Sequence, residues 1–154
     1  MPLTPPASIR RLSRDEMDQA ALVHRAAFDK RLPWLAGLHT PAEDRAYFRD
    51  RWFAQCEVWG AVDGGLIGFI AFREGWIDQF YVLPARQGQG VGEALLDIAK
   101  AAYPELRLWT FQRNTPARRF YENRGFVALE EEGDGSGNKE REPDILYRWQ
   151  RPAC

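Results

Sequence analysis

The sequence predicts one mixed α/β domain spanning residues 1–154, and three observations support this fold class. The length is typical of a single domain that buries a sizeable core. Several short segments rich in β-branched and aromatic residues, bounded by glycine or proline, are typical of strands. Other segments carry apolar residues at the spacing of one helical face, and one of these directly follows a strand. The chain therefore contains both strands and helices, as a mixed α/β domain does.

The N-terminal part is predicted to form one strand and two helices. The strand covers residues 8–12. Ser13 and Glu16 form a capping box, in which a hydroxyl and a carboxylate each satisfy a free backbone amide at a helix start. Residues 30–39 are loop-like, and a second helix is predicted from residue 40 to about residue 53, because proline stands at its first helical position.

Three strands are predicted next, at residues 56–62, 66–73 and 77–83. An Asp-Gly-Gly turn at residues 63–65 joins the first two as a hairpin that requires positive φ. Pro84 ends the third strand, since it fixes φ and cannot donate a ladder hydrogen bond. This part of the chain therefore predicts an antiparallel meander.

A glycine loop lies between the third of these strands and a helix. Gly88, Gly90 and Gly92 precede or enter the helix, whose apolar face consists of Val91, Leu95, Ile98, Ala99 and Ala102. The first amides of a helix lack intrahelical partners and carry positive partial charge, so they bind anions. The loop lacks both the Gly-Lys-Ser/Thr ending of a P-loop and the G-x-G-x-x-G spacing of dinucleotide sites. It predicts a phosphate-bearing ligand of another kind.

The C-terminal part is predicted to complete the sheet. Residues 106–111 alternate as a strand, and a helix begins at Thr115 and ends near Gly125, where a left-handed residue is expected. A final strand pair is predicted at residues 126–130 and 145–149. The segment between these two strands is polar and glycine-rich, which is typical of a loop.

Two motifs resemble signatures of the GNAT N-acetyltransferase superfamily. Residues 87–92, Gln-Gly-Gln-Gly-Val-Gly, resemble its Q/R-x-x-G-x-G/A loop, which holds the pyrophosphate of acetyl coenzyme A. Residues 114–126 resemble its N-x-x-A-x-x-F-Y-E-x-x-G-F helix, in the family's order. The resemblance implies the GNAT fold, a central, mostly antiparallel sheet of six to seven strands flanked by about four helices. It also implies acetyl coenzyme A as the cosubstrate.

The resemblance implies a coenzyme site built from three segments. In that fold the fourth and fifth strands splay apart, and the pantetheine arm makes sheet-like hydrogen bonds with the fourth strand. Asn114 matches the family's coenzyme-binding asparagine, and a helix-start residue is its alternative role. The expected cofactor-binding residues are Phe80, Tyr81, Val82, Gln87, Gly88, Gln89, Gly90, Val91, Gly92 and Asn114.

Acetyl transfer to an amine requires a neutral amine, a stabilised oxyanion and a protonated thiolate. Tyr121 matches the tyrosine next to the coenzyme sulfur in many GNAT enzymes, which predicts a general acid; a core aromatic is the alternative. Asp78 is the first candidate for the base or the ammonium partner, because a carboxylate within an apolar strand is costly unless it is used. Glu74 and Glu57 are the alternatives. Direct transfer needs no covalent intermediate, so Cys56 is not predicted to act as a nucleophile.

The acceptor is expected to be a primary amine of a small molecule. Asp78, with Trp76 two residues before it, suits a cationic amine through charge and cation–π contact. Trp34 lies in the segment that covers the acceptor site in the family, with a core anchor as the alternative. His24, on an apolar helix face, is expected to be structural rather than catalytic. The alternative functions are a protein or peptide N-acetyltransferase, a non-catalytic acyl coenzyme A sensor and a nucleotide-binding oxidoreductase.

Composition argues against several other partners. The net charge of -1 and pI of about 6.1 give no basic field for nucleic acid. No segment approaches the roughly 18 to 20 apolar residues of a membrane span. Cys56 and Cys154 form no disulfide framework and, with the two histidines, no metal-ligand spacing, which predicts a reducing, cytoplasmic setting without a metal. GNAT proteins are often dimers, so the resemblance leaves a homodimer open.

Overall fold

The computed structural model describes residues 8–31, 53–131 and 144–152, and its strands form one sheet. The strands are β1 (Ser8–Arg11), β2 (Glu57–Val62), β3 (Leu66–Arg73), β4 (Trp76–Val82), β5 (Glu105–Phe111), β6 (Val127–Glu131) and β7 (Asp144–Gln150). Their order in the sheet is β1-β2-β3-β4-β5-β7-β6. Only β4 and β5 run parallel among these neighbours; the other pairs are antiparallel. The predicted mostly antiparallel sheet is confirmed.

Helices cover both faces of the sheet. They are α1 (Met17–Arg31), the single turn α2 (Phe53–Gln55), α3 (Val91–Ala102) and α4 (Thr115–Glu122). The predicted helix over residues 40–53 lies outside the described residues except for its end. No helix in the described ranges has the length and apolar composition to cross a membrane.

Strand β3 separates two hydrophobic cores. Phe69 and Ala71 belong to the cluster under α1, whereas Ile70 and Phe72 belong to the cluster under α3. Successive side chains of a strand point to opposite faces, so a strand between two helical layers is apolar throughout. This explains why residues 66–72 are all buried and form an unbroken apolar run in the sequence.

The predicted capping box is present at the start of the chain's first helical segment. Ser13 donates its backbone N–H to Glu16 Oε1 at 2.9 Å, and Arg10 pairs with the same carboxylate. The hydrogen bond from Arg10, followed by the one from Ser13, lowers the pKa of Glu16 from its ordinary 4.5 to about 2. The ionised carboxylate is therefore the form that stabilises this end of the fold.

We expect Glu16→Gln to lower the free energy of unfolding by about 1 kcal/mol at pH 7, since solvent screens the Arg10 pair. Because the folded pKa lies below the unfolded one, this stabilisation is complete above the unfolded pKa and is lost as the pH falls toward 2. Urea unfolding at several pH values measures the difference. Asp15→Asn, an exposed neighbour in the same turn, is the control. The explanation would be contradicted if the difference in unfolding free energy between Glu16→Gln and wild type did not shrink at low pH.

A β-bulge in β4 interrupts the alternation of side chains. Ala71 pairs with Gln79 and Phe72 pairs with Ile77, so Asp78 is an extra residue without a cross-strand partner on β3. Ile77 packs in the α3 core, whereas Asp78 contacts Cys56 of the α1 core. Gln79 shares the α1 face with its partner Ala71. Two consecutive polar side chains therefore lie on the α1 side.

The parallel strands β4 and β5 separate along their length. Their register contains one pair, Trp76 with Arg107, at the start of both strands. The Arg107 backbone N–H also donates to the Gly75 carbonyl at 2.9 Å. Beyond this point the two strands diverge, as the resemblance implied, and a gap opens in the middle of the sheet.

Candidate active site

A cavity of about 590 Å³ lies at the gap between β4 and β5. One wall comes from α1 and the α1 face of β4, and it includes His24, Phe28 and Tyr81. The opposite wall comes from α3 and α4, and it includes Gly92 and Phe120. The cavity therefore joins the two faces of the sheet, and a ligand on one side can meet a ligand on the other.

The glycine loop is fixed in position by its own side chains and by a neighbouring turn. Arg86 donates to Asp63 Oδ2 at 2.6 Å and to Gln89 Oε1 at 3.0 Å. Gln87 donates to the Val82 carbonyl at 3.0 Å, which ties the loop to the end of β4. These bonds hold the loop before any ligand binds.

Two glycines of this loop adopt left-handed backbone conformations, with φ of 79° at Gly88 and 84° at Gly90. Gly90 is the N-cap residue of α3, so the loop leads directly into the free amides of that helix. A Cβ at Gly88 would meet no atom within 4 Å, and Gly88 borders the cavity. The backbone there is open to a ligand, which suits the phosphate groups of a coenzyme.

Gly92 allows a close approach between α3 and α4. A Cβ at this position would lie 3.3 Å from the Phe120 ring, which is tighter than ordinary contact. Arg124 holds the same ring, with its guanidinium carbon 3.8 Å from the ring centroid. Because Gly92 has no side chain, the Phe120 ring of α4 can pack directly against α3.

Tyr121 is buried at the centre of an aromatic cluster on the same wall. Its ring centroid lies 5.6 Å from that of Phe120, 5.4 Å from Phe126, 6.3 Å from Phe80 and 6.1 Å from Tyr147. Burial raises the pKa of the Tyr121 phenol well above its usual range. Tyr121 also borders the cavity. It is thus a protonated phenol at neutral pH, and its role as proton donor stays a prediction.

Asp78 borders the cavity, and its carboxylate accepts hydrogen bonds from two neighbouring side chains. Arg73 Nε donates to Oδ2 at 2.6 Å, and Arg73 Nη2 donates to Oδ1 at 3.2 Å. Cys56 Sγ donates to Oδ2 at 3.3 Å. Burial, followed by this bond to Asp78, raises the pKa of the Cys56 thiol to about 12. A neutral, buried thiol is a poor nucleophile, in agreement with the expectation for Cys56.

The structure brings most of the predicted site residues to one cavity. The predicted residues that line it are Asp78, Phe80, Tyr81, Val82, Gln87, Gly88, Gly92, Asn114 and Tyr121. Asn114 is also the N-cap of α4, where its Oδ1 accepts from the Ala117 amide at 3.4 Å. Its alternative role as a helix-start residue is therefore confirmed, and its role toward the coenzyme stays a prediction.

Four predicted site residues do not line the cavity, and one lies outside the described residues. The Gln89 side chain braces Arg86, Gly90 caps α3, and Val91 packs in the core. Trp76 lies beside the Arg73 guanidinium, with 5.6 Å between its ring centroid and the guanidinium carbon. Trp34 falls among the residues that the structure does not describe.

Sequence reasoning missed most of the α1 wall. Tyr81 was expected at the coenzyme, yet its ring also packs against His24, with 4.6 Å between the centroids. The His24 ring lies 5.3 Å from that of Phe28, and Phe28 lies 6.1 Å from Phe111 of β5. The apolar spacing of α1 marked His24 and Phe28 as one face of a helix. It carried no signal that this face borders a gap in the sheet.

Comparison with known proteins finds similarity to acetyltransferases. Residues 54–128, which include most of the cavity wall, match the acetyltransferase (GNAT) domain. The peptidyl-lysine N-acetyltransferase YiaC of Escherichia coli strain K12 is 35% identical over 80 residues, or 51% of this chain and 55% of that protein. The match therefore spans about half the length of this curated relative.

Solved structures share the whole fold. The apo form of YjaB from Escherichia coli superposes with a TM-score of 0.77 at 22% identity, covering 95% of this chain and 99% of that one. The PaiA N-acetyltransferase from Thermoplasma acidophilum, solved with coenzyme A, gives a TM-score of 0.68 at 20% identity, covering 94% and 98%. The predicted fold class is confirmed.

Proposed function

We propose that this chain, in which residues 54–128 match the acetyltransferase (GNAT) domain, transfers the acetyl group of acetyl coenzyme A directly to a primary amine. The observation that carries the proposal is one cavity bordered by the glycine loop, the diverging strands and Tyr121. An anion-binding helix start, an open strand edge and a buried proton donor are the parts that a phosphate-bearing thioester requires.

The proposed coenzyme position follows from which groups face the gap. The amides at the start of α3 would bind the pyrophosphate, with Gly88 leaving room for it. The backbone of Phe80, Tyr81 and Val82 would bind the pantetheine arm, because β5 has diverged from this part of β4. Asn114 borders the same space from α4. In this arrangement the thioester lies near Tyr121.

The proposed reaction needs a proton removed before the attack, a proton given to the sulfur and a second proton lost by the nitrogen. Asp78, or a water molecule that it holds, takes a proton from the ammonium, and the neutral nitrogen forms a bond to the acetyl carbon. The carbon–sulfur bond then breaks, Tyr121 gives its proton to the departing thiolate, and the second proton from the nitrogen returns through water to the Tyr121 phenolate. Glu57 and Glu74 do not line the cavity, and Glu57 accepts a hydrogen bond from Trp59 at 2.7 Å. This geometry supports Asp78 over both alternatives.

We expect Asp78→Asn to lower turnover by at least tenfold at pH 7, because an amide removes the proton acceptor while keeping the shape. The deficit should shrink as the pH rises, since more of the amine is then neutral in solution. Thiol release measured from pH 6 to 10 tests this expectation.

Arg73→Gln is the matched variant, since it removes the partner of Asp78 and leaves the carboxylate. If Asp78 served only to hold Arg73, the two variants would show the same deficit at every pH. That result, or unchanged activity of Asp78→Asn, would contradict the base role.

Two acceptor classes fit the proposal. A primary amine of a small molecule is favoured by the concave site of about 590 Å³ beside the sheet and α1. A peptide lysine is the second candidate, because the relative YiaC is a peptidyl-lysine N-acetyltransferase. Both present an alkyl ammonium, so both need the same proton transfers.

The function is tested by calorimetric titration with acetyl coenzyme A, followed by thiol release with small amines and lysine peptides. Binding and release with one acceptor class would support the enzyme and identify that class. Binding without release across the panel would favour the acyl coenzyme A sensor, and no binding would overturn the proposal.

A further inference from the structure

The polar side chain next to Asp78 has an unusual environment. Gln79 Oε1 is buried, and within the described residues it accepts no hydrogen bond. Gln79 also lines the cavity. A buried carbonyl without a donor destabilises a fold, because it has lost its hydrogen bonds to water. Such a group is expected where a ligand supplies the missing donor.

The β4 bulge places this carbonyl on the α1 side of the gap. Without the bulge, Gln79 would share the face of Ile77, which packs in the α3 core. The glycine loop and Asn114 border the cavity from α3 and α4. The α1 side, where Gln79 lies, is thus left for the second substrate.

The neighbouring carboxylate cannot replace Gln79 in holding that substrate. Asp78 Oδ2 already accepts from Arg73 Nε and Cys56 Sγ, and Oδ1 accepts from Arg73 Nη2. One lone pair of Oδ1 remains, which is enough to take a proton. Gln79, by contrast, offers its carbonyl without a competing donor in the described residues.

The rest of the α1 wall indicates what kind of group it receives. The rings of His24, Phe28 and Tyr81 contact each other along this wall, and Phe111 extends it from β5. None of the described lining residues is lysine or arginine, whereas two are aspartates, of which Asp78 is paired with Arg73. Aromatic rings and carboxylates favour a cation carried on a hydrocarbon arm.

We propose that Gln79 is an acceptor-binding residue whose side-chain carbonyl receives an N–H of the acceptor nitrogen, with the hydrocarbon arm against His24, Phe28 and Tyr81. The inference rests on the proposed function and names the substrate class at the same site. The acceptor is a primary alkylamine bound through one N–H to Gln79, and Asp78 takes a different proton from the same nitrogen.

The test uses two coenzyme A conjugates and no catalysis. In the first, the sulfur carries CH₂–CO–NH–butyl in place of the acetyl group, and in the second the amide nitrogen is methylated. We expect wild type to bind the N–H conjugate at least tenfold more tightly than the N-methyl conjugate, measured by calorimetry. In Gln79→Leu the ratio should fall to about one, and in Gln79→Glu, which keeps an acceptor oxygen, it should stay near the wild-type value.

Gln150→Leu, at an exposed position at the end of β7, is the matched control and should keep the wild-type ratio. Gln79→Leu should keep the thermal midpoint of wild type or exceed it, because it removes a buried carbonyl without a partner. Equal affinity of the two conjugates for wild type, or an unchanged ratio in Gln79→Leu, would overturn the inference. If wild type did not bind acetyl coenzyme A, that result would instead overturn the proposed function.

Discussion

Replacing Tyr121 with phenylalanine is expected to lower turnover by about 100-fold while acetyl coenzyme A binds as before. The variant loses only the phenolic oxygen, and the ring keeps its contacts with Phe80, Phe120 and Phe126. If Tyr121 protonates the departing thiolate, the loss falls on kcat and not on coenzyme affinity. Steady-state kinetics together with calorimetry separates the two.

The control for this prediction is Tyr103→Phe, since Tyr103 packs against Phe72 and does not line the cavity. Burial raises the folded pKa of Tyr121, so the protonated and active form persists above the usual phenol pKa of about 10. We therefore expect that deprotonation of Tyr121 causes no loss of activity below about pH 10. A normal turnover rate in Tyr121→Phe would leave packing as its only role.

The second large effect is expected at the glycine loop. Gly88→Ala should weaken acetyl coenzyme A binding by about 30-fold, for two reasons. The φ of 79° is unfavourable for alanine, and the new Cβ would extend toward the space assigned to the coenzyme. Calorimetry measures the affinity, and urea unfolding measures the separate cost to stability.

Gly64→Ala isolates the backbone effect from the ligand effect. Gly64 has a φ of 70° and, like Gly88, has no atom within 4 Å of an added Cβ, but it lies in the turn between β2 and β3. Both variants should lose about 1 kcal/mol of stability, and only Gly88→Ala should lose affinity. Equal affinities in the two variants would show that the coenzyme does not approach Gly88.

Local patterns were sufficient to predict much of this fold. The capping box at Ser13, the hairpin turn at Gly64 and the left-handed Gly125 were each identified from residues close in sequence, and each is present. The glycine loop was identified because a helix start, a strand end and a glycine pattern coincide within residues 84–92. These features depend on short-range chemistry, which a single sequence records.

The divergence of β4 and β5 could not be read from the residue pattern, because it depends on strands that are distant in sequence. The bulge at Asp78 was also missed, and it changes which side chains share a face. Simple alternation placed Trp76 beside Asp78 as a substrate contact, whereas the bulge groups Asp78 with Gln79. Both features concern strand pairing, for which the sequence holds no local signal.

The gap between β4 and β5 also gives the sheet two inner edges, where backbone groups of one strand do not face a pairing strand. On a protein surface such edges are templates for the addition of foreign strands, and so for aggregation. Here α1 covers one face of the gap, and α3 and α4 cover the other. The backbone that would promote aggregation on a surface therefore lines a concave site, where a ligand can pair with it.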